Sequence, residues 1–344
     1  MNKINEKFRL GIVGAGIFAE ANHYPSLSLH FFDNVERAAV CDLKKERADR
    51  IAKKYGWAKT YDNLDEMIKN ENLDGVIVCV GARASVDVSI SVIKSGLPVF
   101  LEKPSSIYVD GTVKIAEAAK KENLIVQVGH NKRHGLAYKR AMEIVSDRKK
   151  FGNIIQIESK MHGFPIFPTF YTCMLEWQCH NLDIIRAFTG DIDIKEIEAK
   201  SFKTGEATGA LTAMVKFESG ALGIIGWGTY GGPGQFAERI EILSDQGKGV
   251  IITNARVVTF YRKGTSDDVD VGEVWTSDWN PISKNQSHVF NGYVGEFLHF
   301  IECVKKKNKP KPSIEDEVKT MSYLAEIANK AEIPIEWDFI SSAL

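Results

Sequence analysis

At 344 residues the chain is long enough for two domains, each able to bury its own core. Hydrophobic content of 44%, charged content of 26% and a formal net charge of -1 describe an ordinary globular protein, with no electrostatic reason to expect nucleic acid or an anionic membrane as partner. The five cysteines fit free thiols and not a disulfide framework. No run is apolar enough to span a membrane and MNKINEKFRL lacks a signal-peptide stretch, so a cytoplasmic location is expected.

The first third alternates strand-like and helix-like segments. FRLGIV (Phe8–Val13), RAAVCD (Arg37–Asp42), GVIVCVG (Gly75–Gly81), PVFLEK (Pro98–Lys103) and LIVQVG (Leu124–Gly129) are short runs rich in Val, Ile and Leu. They are apolar on both faces, as a buried parallel sheet requires. Segments with helical spacing, such as KKERADRIAKKYG and DGTVKIAEAAKKEN, lie between them. This alternation predicts βαβ units and a doubly wound sheet over residues 1–129.

Directly after the first run comes GAGIFA, Gly14 to Ala19, matching G-x-G-x-x-A. The first glycine makes a tight turn, the second lets backbone N–H groups approach a pyrophosphate, and the small Ala19 lets helix and strand pack closely. The motif follows a strand and opens a helix, which is the context dinucleotide binding needs. Asp42 ends the next strand, where a carboxylate accepts hydrogen bonds from a ribose 2′-OH and repels a 2′-phosphate, so NAD is favoured over NADP. Lys44, Lys45 and Arg47 follow and read as a solvated helix face before they read as a phosphate site.

PVFLEK ends in EKP, Glu102-Lys103-Pro104. Ligands of a doubly wound sheet bind beyond the C-terminal ends of its strands, so Lys103 faces the cofactor side. Pairing of Lys103 with Glu102 or with a phosphate is an equal alternative on position alone.

After about residue 150 the pattern changes. GNIIQIESKM, IKEIEAKSF, GALTAMVKF, GALGIIGWGTY, ERIEILS, GVIIT and ARVVTFY follow one another with few helices between. Ser219-Gly220, Gln246-Gly247 and Asn254 mark turns. Residues 130–344 are expected to form an α+β domain: one broad, open, mostly antiparallel sheet covered by helices on one face. The other face is a candidate homodimer or homotetramer interface. Residues 264–290, with Trp275, Trp279 and Asn280, read as a long polar loop, and 293–331 as two helices. The basic run KKKNKPKP (Lys305–Pro312) ends the first of these helices.

The helix carrying LEWQCHNLD (Leu175–Asp183) stacks Glu176, His180 and Asp183 at i, i+4 and i+7 on one face. A Glu-His pair at this spacing on an exposed helix is common, and His180 alone would more often be an ordinary histidine. Cys173, Cys179, His162 and His180 match no standard zinc spacing, and no metal is expected. Tyr230, Trp275 and Trp279 could stack on sugar rings, although core packing or a subunit contact serves equally.

In combination, GAGIFA, EKP and the helix of His180 and Asp183 resemble the glucose-fructose oxidoreductase/inositol dehydrogenase/MocA-type family. VQVGHNKRH (Val126–His134) is similar to its domain-joining segment, and YVGEFLHFIECV (Tyr293–Val304) to its C-terminal helix. The resemblance implies a two-domain NAD(P)-dependent oxidoreductase of sugars, polyols or their derivatives, with its catalytic lysine at Lys103 and its helix motif at Glu176 and His180. Candidate cofactor-binding residues are then Gly14, Gly16, Ile17, Phe18, Ala19, Asp42, Gly81, Glu102 and Lys103. Candidate substrate contacts are Lys103, Arg83, Lys132, His162, Glu176 and His180. Three positions depart from the family pattern. Glu176 replaces the usual Asp, Gln178 stands where many members have Gly, and GARAS (Gly81–Ser85) replaces a Thr-Pro-Asn-x-x-His pattern, which puts Arg83 and Ser85 near the nicotinamide end.

Hydride chemistry assigns the roles. Removing hydride from a secondary carbinol leaves a carbonyl only if the hydroxyl proton also departs, so a base of near-neutral pKa lowers the barrier, and His180 is the natural one. Lys103 would stabilise the developing alkoxide or pass the proton on. Glu176 would orient His180 or bind a second hydroxyl. A dinucleotide-sensing regulator of the same fold, without turnover, is the alternative.

Overall fold

The computed structural model describes residues 7–30, 35–165, 167–229, 236–262, 272–277 and 286–335. The chain opens with β1 (Phe8–Val13), a wide turn of π type (Ala19–His23) running into α1 (Tyr24–His30), β2 (Val35–Cys41), α2 (Lys45–Tyr55), β3 (Lys59–Tyr61) and α3 (Leu64–Asn70). It continues through β4 (Gly75–Val78), α4 (Ala82–Lys94), β5 (Val99–Glu102), α5 (Val109–Glu122) and β6 (Val126–Gly129). Next come α6 (Leu136–Ser146), α7 (Arg148–Phe151), β7 (Ile154–Gly163), α8 (Phe170–Thr189), β8 (Ile194–Lys203), β9 (Gly209–Phe217) and β10 (Leu222–Thr229). The last are β11 (Phe236–Ser244), β12 (Gly249–Thr253), β13 (Val257–Tyr261), β14 (Glu273–Thr276), α9 (Gln286–Phe290), α10 (Tyr293–Lys306) and α11 (Ile314–Lys330).

The chain divides into two compact units, Met1–His134 with Asn280–Val318, and Gly135–Trp279 with Lys319–Leu344. Residues 130–134 and 280–318, read from the sequence as part of the second domain, therefore group with the first. The reason is the apolar face of α10. Phe297 and Phe300 are fully buried, with ring centroids 4.8 and 6.0 Å from Phe100 of β5. Phe300 also meets Phe8 of β1 at 6.2 Å. Burying an aromatic of this size stabilises by about 1.5–3 kcal/mol, so α10 belongs to the core beside β1 and β5.

The first sheet has six parallel strands in the order β3-β2-β1-β4-β5-β6, the dinucleotide-binding order. Every residue of β4, β5 and β6 is buried, as runs apolar on both faces require. The short β3 has no such run, since Lys-Thr-Tyr lies on the sheet edge, which explains why hydrophobic patterning passes over it.

The second sheet has eight strands in the order β14-β13-β12-β11-β7-β10-β9-β8, antiparallel except between β7 and β10. Its strands alternate buried and accessible residues, so only one face is covered. Helices α6 and α8 cover it: Ser159 of β7 hydrogen-bonds Asn181 of α8 at 3.0 Å, and a Cβ on Gly223 would meet Ile185 of α8. Met214, Leu222 and Leu243 are exposed on the opposite face. Residues 264–290 are not one structureless loop, since β14 pairs with β13, placing Trp275 opposite Val258, and α9 closes the segment. Tyr230, Trp279 and Asn280 lie outside the described residues. Among the described residues no helix is long and apolar enough to cross a membrane.

Candidate active site

The fingerprint loop leaves β1 where the strand order reverses between β1 and β4, the point at which doubly wound sheets bind ligands. Gly14 has φ +107°, and its N–H donates to Cys41 O at 2.8 Å. A Cβ there would lie 2.0 Å from the carbonyl oxygen of Cys79, so the turn is open only to glycine. Gly16 differs: a Cβ would meet nothing within 4 Å, and Gly81 at the start of α4 is equally open. The protein itself makes no demand for glycine at these two positions, which matches a backbone kept bare for a ligand. Ile17 stands 82% exposed at the loop crest, Phe18 is half-exposed, and Ala19 is buried against the sheet.

Asp42 organises this loop. Its carboxylate accepts the Ala15 N–H at 2.7 Å and the Lys44 N–H at 2.9 Å. A carboxylate has about four acceptor sites, so capacity remains for ribose hydroxyls. The residues present therefore fit an NAD dinucleotide: a bare turn, a helix N-terminus and a carboxylate at the end of β2.

The helix after the loop is anchored by groups that patterning does not reveal. The Tyr24 hydroxyl, buried, donates to Gly14 O at 2.8 Å. The Tyr24 N–H reaches back five residues to Ala19 O, widening the turn. Pro25 has no N–H for the Ala21 carbonyl four residues earlier. His288 of α9 lies 3.0 Å from that carbonyl and is its donor, because a carbonyl can only accept. Glu20 receives both Arg50 guanidinium nitrogens at 2.7 Å and Lys54 at 2.9 Å, tying the turn to α2. Arg50, then Lys54, hold the Glu20 carboxyl at about 2 instead of the usual 4.5, so its stabilisation is present above pH 4.5 and is lost as pH falls toward 2. Glu20→Gln is expected to cost about 1 kcal/mol at neutral pH, with solvent screening keeping it modest. The deficit should vanish in acid, which urea unfolding at neutral and low pH would measure.

At the end of β5, Glu102 is buried, and its Oε2 accepts the Lys103 N–H at 2.9 Å. Its other oxygen lies 2.8 Å from His23 Nε2. The sequence reading placed Glu102 among the cofactor contacts, whereas the structure turns its carboxylate into the interior of the unit. The His23 partnership was missed because it spans 79 residues between two unrelated segments. Arg83 is exposed in the first turn of α4. Ser85 is buried, and its hydroxyl donates to Ser105 O at 2.6 Å, tying α4 to the segment after EKP. Lys132 is buried in the short turn Asn131–His134.

In the second unit, α8 begins with a reciprocal Thr169–Thr172 capping box and ends at Gly190 with φ +84°. Glu176 and His180 are half-exposed, one turn apart, whereas Asp183, which completes the charged face in the sequence, is buried. Gln178 is buried as well, accepting from Asn181, which in turn meets Ser159. It braces α8 on β7 and is not an added pocket wall. His162 of β7 follows Ser159 by three residues, so strand alternation puts it on the face away from α8. None of the five cysteines is in a disulfide.

Comparison with known proteins agrees with this architecture. Residues 8–130 match the family model described as an oxidoreductase family with an NAD-binding Rossmann fold. The chain is 26% identical over 325 residues to a myo-inositol 2-dehydrogenase of Thermotoga maritima, covering 90% of this chain and 91% of that one. The first unit is thus matched to the oxidoreductase family with an NAD-binding Rossmann fold, and most of the chain is similar to an inositol dehydrogenase. A scyllo-inositol 2-dehydrogenase (NAD(+)) of Bacillus subtilis is 25% identical over 288 residues, 79% of each chain. Among solved structures, a dehydrogenase from Chromobacterium violaceum superposes with a TM-score of 0.84 at 20% identity, over 95% of this chain and 96% of that one, and so shares the fold. The protein is thus an oxidoreductase with an NAD-binding Rossmann unit and a largely antiparallel second unit.

Proposed function

We propose that the protein is an NAD-dependent dehydrogenase acting on a secondary hydroxyl of a sugar, an inositol-like polyol or a sugar derivative. The observation that carries this reading is the position of Lys103 at the C-terminal end of β5, in the same sheet whose β1 end carries the bare Gly14–Gly16 turn. Both of the relatives described above are named inositol dehydrogenases. Bound NAD supplies the hydride acceptor. The first unit holds the dinucleotide, and the second supplies substrate contacts. Lys103 donates to the substrate oxygen and stabilises its developing charge. His180 takes the hydroxyl proton, and Glu176 orients His180 or binds a neighbouring hydroxyl. Arg83, Lys132 and His162 are further candidates for substrate contact.

A panel of inositols, sugars and sugar acids with NAD and NADP, followed at the absorbance of the reduced nicotinamide, tests the reading. Tight NAD binding without turnover of any substrate would point to the regulatory alternative. Coenzyme choice rests on Asp42, whose charge repels a 2′-phosphate next to Lys44 and Lys45. Asp42→Ser is expected to move the ratio of kcat/KM for NAD over NADP by at least tenfold toward NADP, equivalent to about 1.4 kcal/mol. An unchanged ratio would remove Asp42 from the ribose site.

The open face of the second sheet, with exposed Met214, Leu222 and Leu243, supports a homodimer or homotetramer formed through that sheet. Met214→Glu is expected to lower the mass measured by light scattering after gel filtration. Five cysteines outside any disulfide support a cytoplasmic location.

A further inference from the structure

Beneath the EKP turn, His23, Glu102 and Glu296 meet in the interior of the first unit, with one donor or acceptor atom from each within 4.8 Å of the others. His23 and Glu296 are fully buried and Glu102 nearly so. His23 Nε2 approaches Glu102 Oε1 to 2.8 Å without the alignment of a hydrogen bond, and both Glu296 oxygens lack a hydrogen-bond partner. The walls are aromatic: Phe18, Phe100, Tyr293 and Phe297 all present edges or faces to the His23 ring. Two carboxylates this close in a dry site cannot both stay ionised without a proton or a cation to offset them.

The cluster is joined to the lysine through the backbone, because Glu102 Oε2 holds the Lys103 N–H. The titratable groups facing it are His23 from the π-type turn, Cys79 beyond β4, Glu102 and Lys103 at the end of β5, and Tyr293 and Glu296 on α10. Burial, then the Glu102 charge, pushes the Glu296 carboxyl well above the usual carboxylate range, against the pull of Lys103. Burial, followed by Glu102, likewise raises the Cys79 thiol and the Tyr293 phenol, so both stay neutral.

We propose that His23, Glu102 and Glu296 are positioning residues for Lys103: they keep an acid proton on Glu296 and one carboxylate charge on Glu102, which anchors the lysine's peptide and is the counter-charge for its ammonium. The proposal rests on Lys103 serving the hydride-transfer reaction. His23, packed between Glu102 and the aromatic wall, holds the carboxylate in place. A divalent cation held by the same three side chains is the competing occupant.

Infrared spectroscopy of the wild-type protein at neutral pH is expected to show a protonated carboxylic acid band that shifts in deuterated buffer and is lost in Glu296→Gln. In turnover, kcat/KM reports ionisations of the free enzyme. Glu102→Gln should move its alkaline limb toward lower pH by about one unit or more, because removing an opposite charge favours the neutral amine. Glu296→Gln should leave the position of that limb where it was, whatever its effect on rate. The proposal is overturned if folded wild-type protein shows no acid band, if both variants move the limb equally, or if a stoichiometric divalent metal survives gel filtration. The wild-type band needs no variant to fold. If Lys103→Ala leaves turnover intact, the assignment of the lysine fails instead, and the infrared result still decides where the proton sits.

Discussion

Replacing His180 with Asn is expected to lower kcat for oxidation of the preferred polyol by about 10²–10⁴-fold, the range for loss of a positioned general base. The KM for NAD should change little. His180 and Glu176 are accessible on a helix whose neighbouring Gln178, Cys179, Asn181 and Asp183 are buried. A half-exposed histidine one turn from a carboxylate can exchange protons, whereas its buried neighbours serve packing. Lys103→Met should cost about 10²–10³-fold through the loss of charge stabilisation at the substrate oxygen. Groups that act on one proton transfer are strongly non-additive, so the double variant should fall little below the weaker single one. Additive losses, or a single variant with near wild-type kcat, would show that the two residues do not serve one step.

The second large effect is on the fold of the cofactor loop. Gly14→Ala is expected to destabilise the protein by several kcal/mol and to weaken NAD binding at least a hundredfold. The new Cβ would lie 2.0 Å from Cys79 O, and φ +107° is itself strained for any residue with a side chain. Relief requires the ends of β1 and β4 to part, breaking the Cys79 N–H bond to Val13 O at 2.9 Å. Gly16→Ala is the informative contrast. Its Cβ would meet nothing within 4 Å, so thermal unfolding without NAD should be nearly unchanged while NAD affinity falls. Equal destabilisation of the two variants in the absence of NAD would mean that Gly16 is kept for the fold and not for the ligand. Calorimetric titration with NAD together with thermal melts separates the cases.

Much of this architecture is written into short stretches of sequence. Continuous apolar runs become strands buried on both faces, and alternating runs become a sheet covered on one face, because side-chain periodicity and burial are local consequences of the backbone. GAGIFA identifies its turn because only glycine tolerates the backbone and the close carbonyl at Gly14. EKP and the Glu176–His180 spacing likewise identify their positions at a strand end and along one helix turn. The chain by itself therefore determined the fold class and the cofactor turn, and it nominates the residues proposed to move the proton.

Tertiary structure decided what depends on partners distant in sequence. The return of α10 to the first unit follows from packing Phe297 and Phe300 on Phe8 and Phe100, contacts that no local window contains. Burial split the face read along LEWQCHNLD, leaving Glu176 and His180 accessible and turning Asp183 and Gln178 inward. Strand register placed His162 on the far side of the sheet from α8. The gathering of His23, Glu102 and Glu296 under Lys103 has no local signal, because their charges interact only after three separate elements have excluded water from between them.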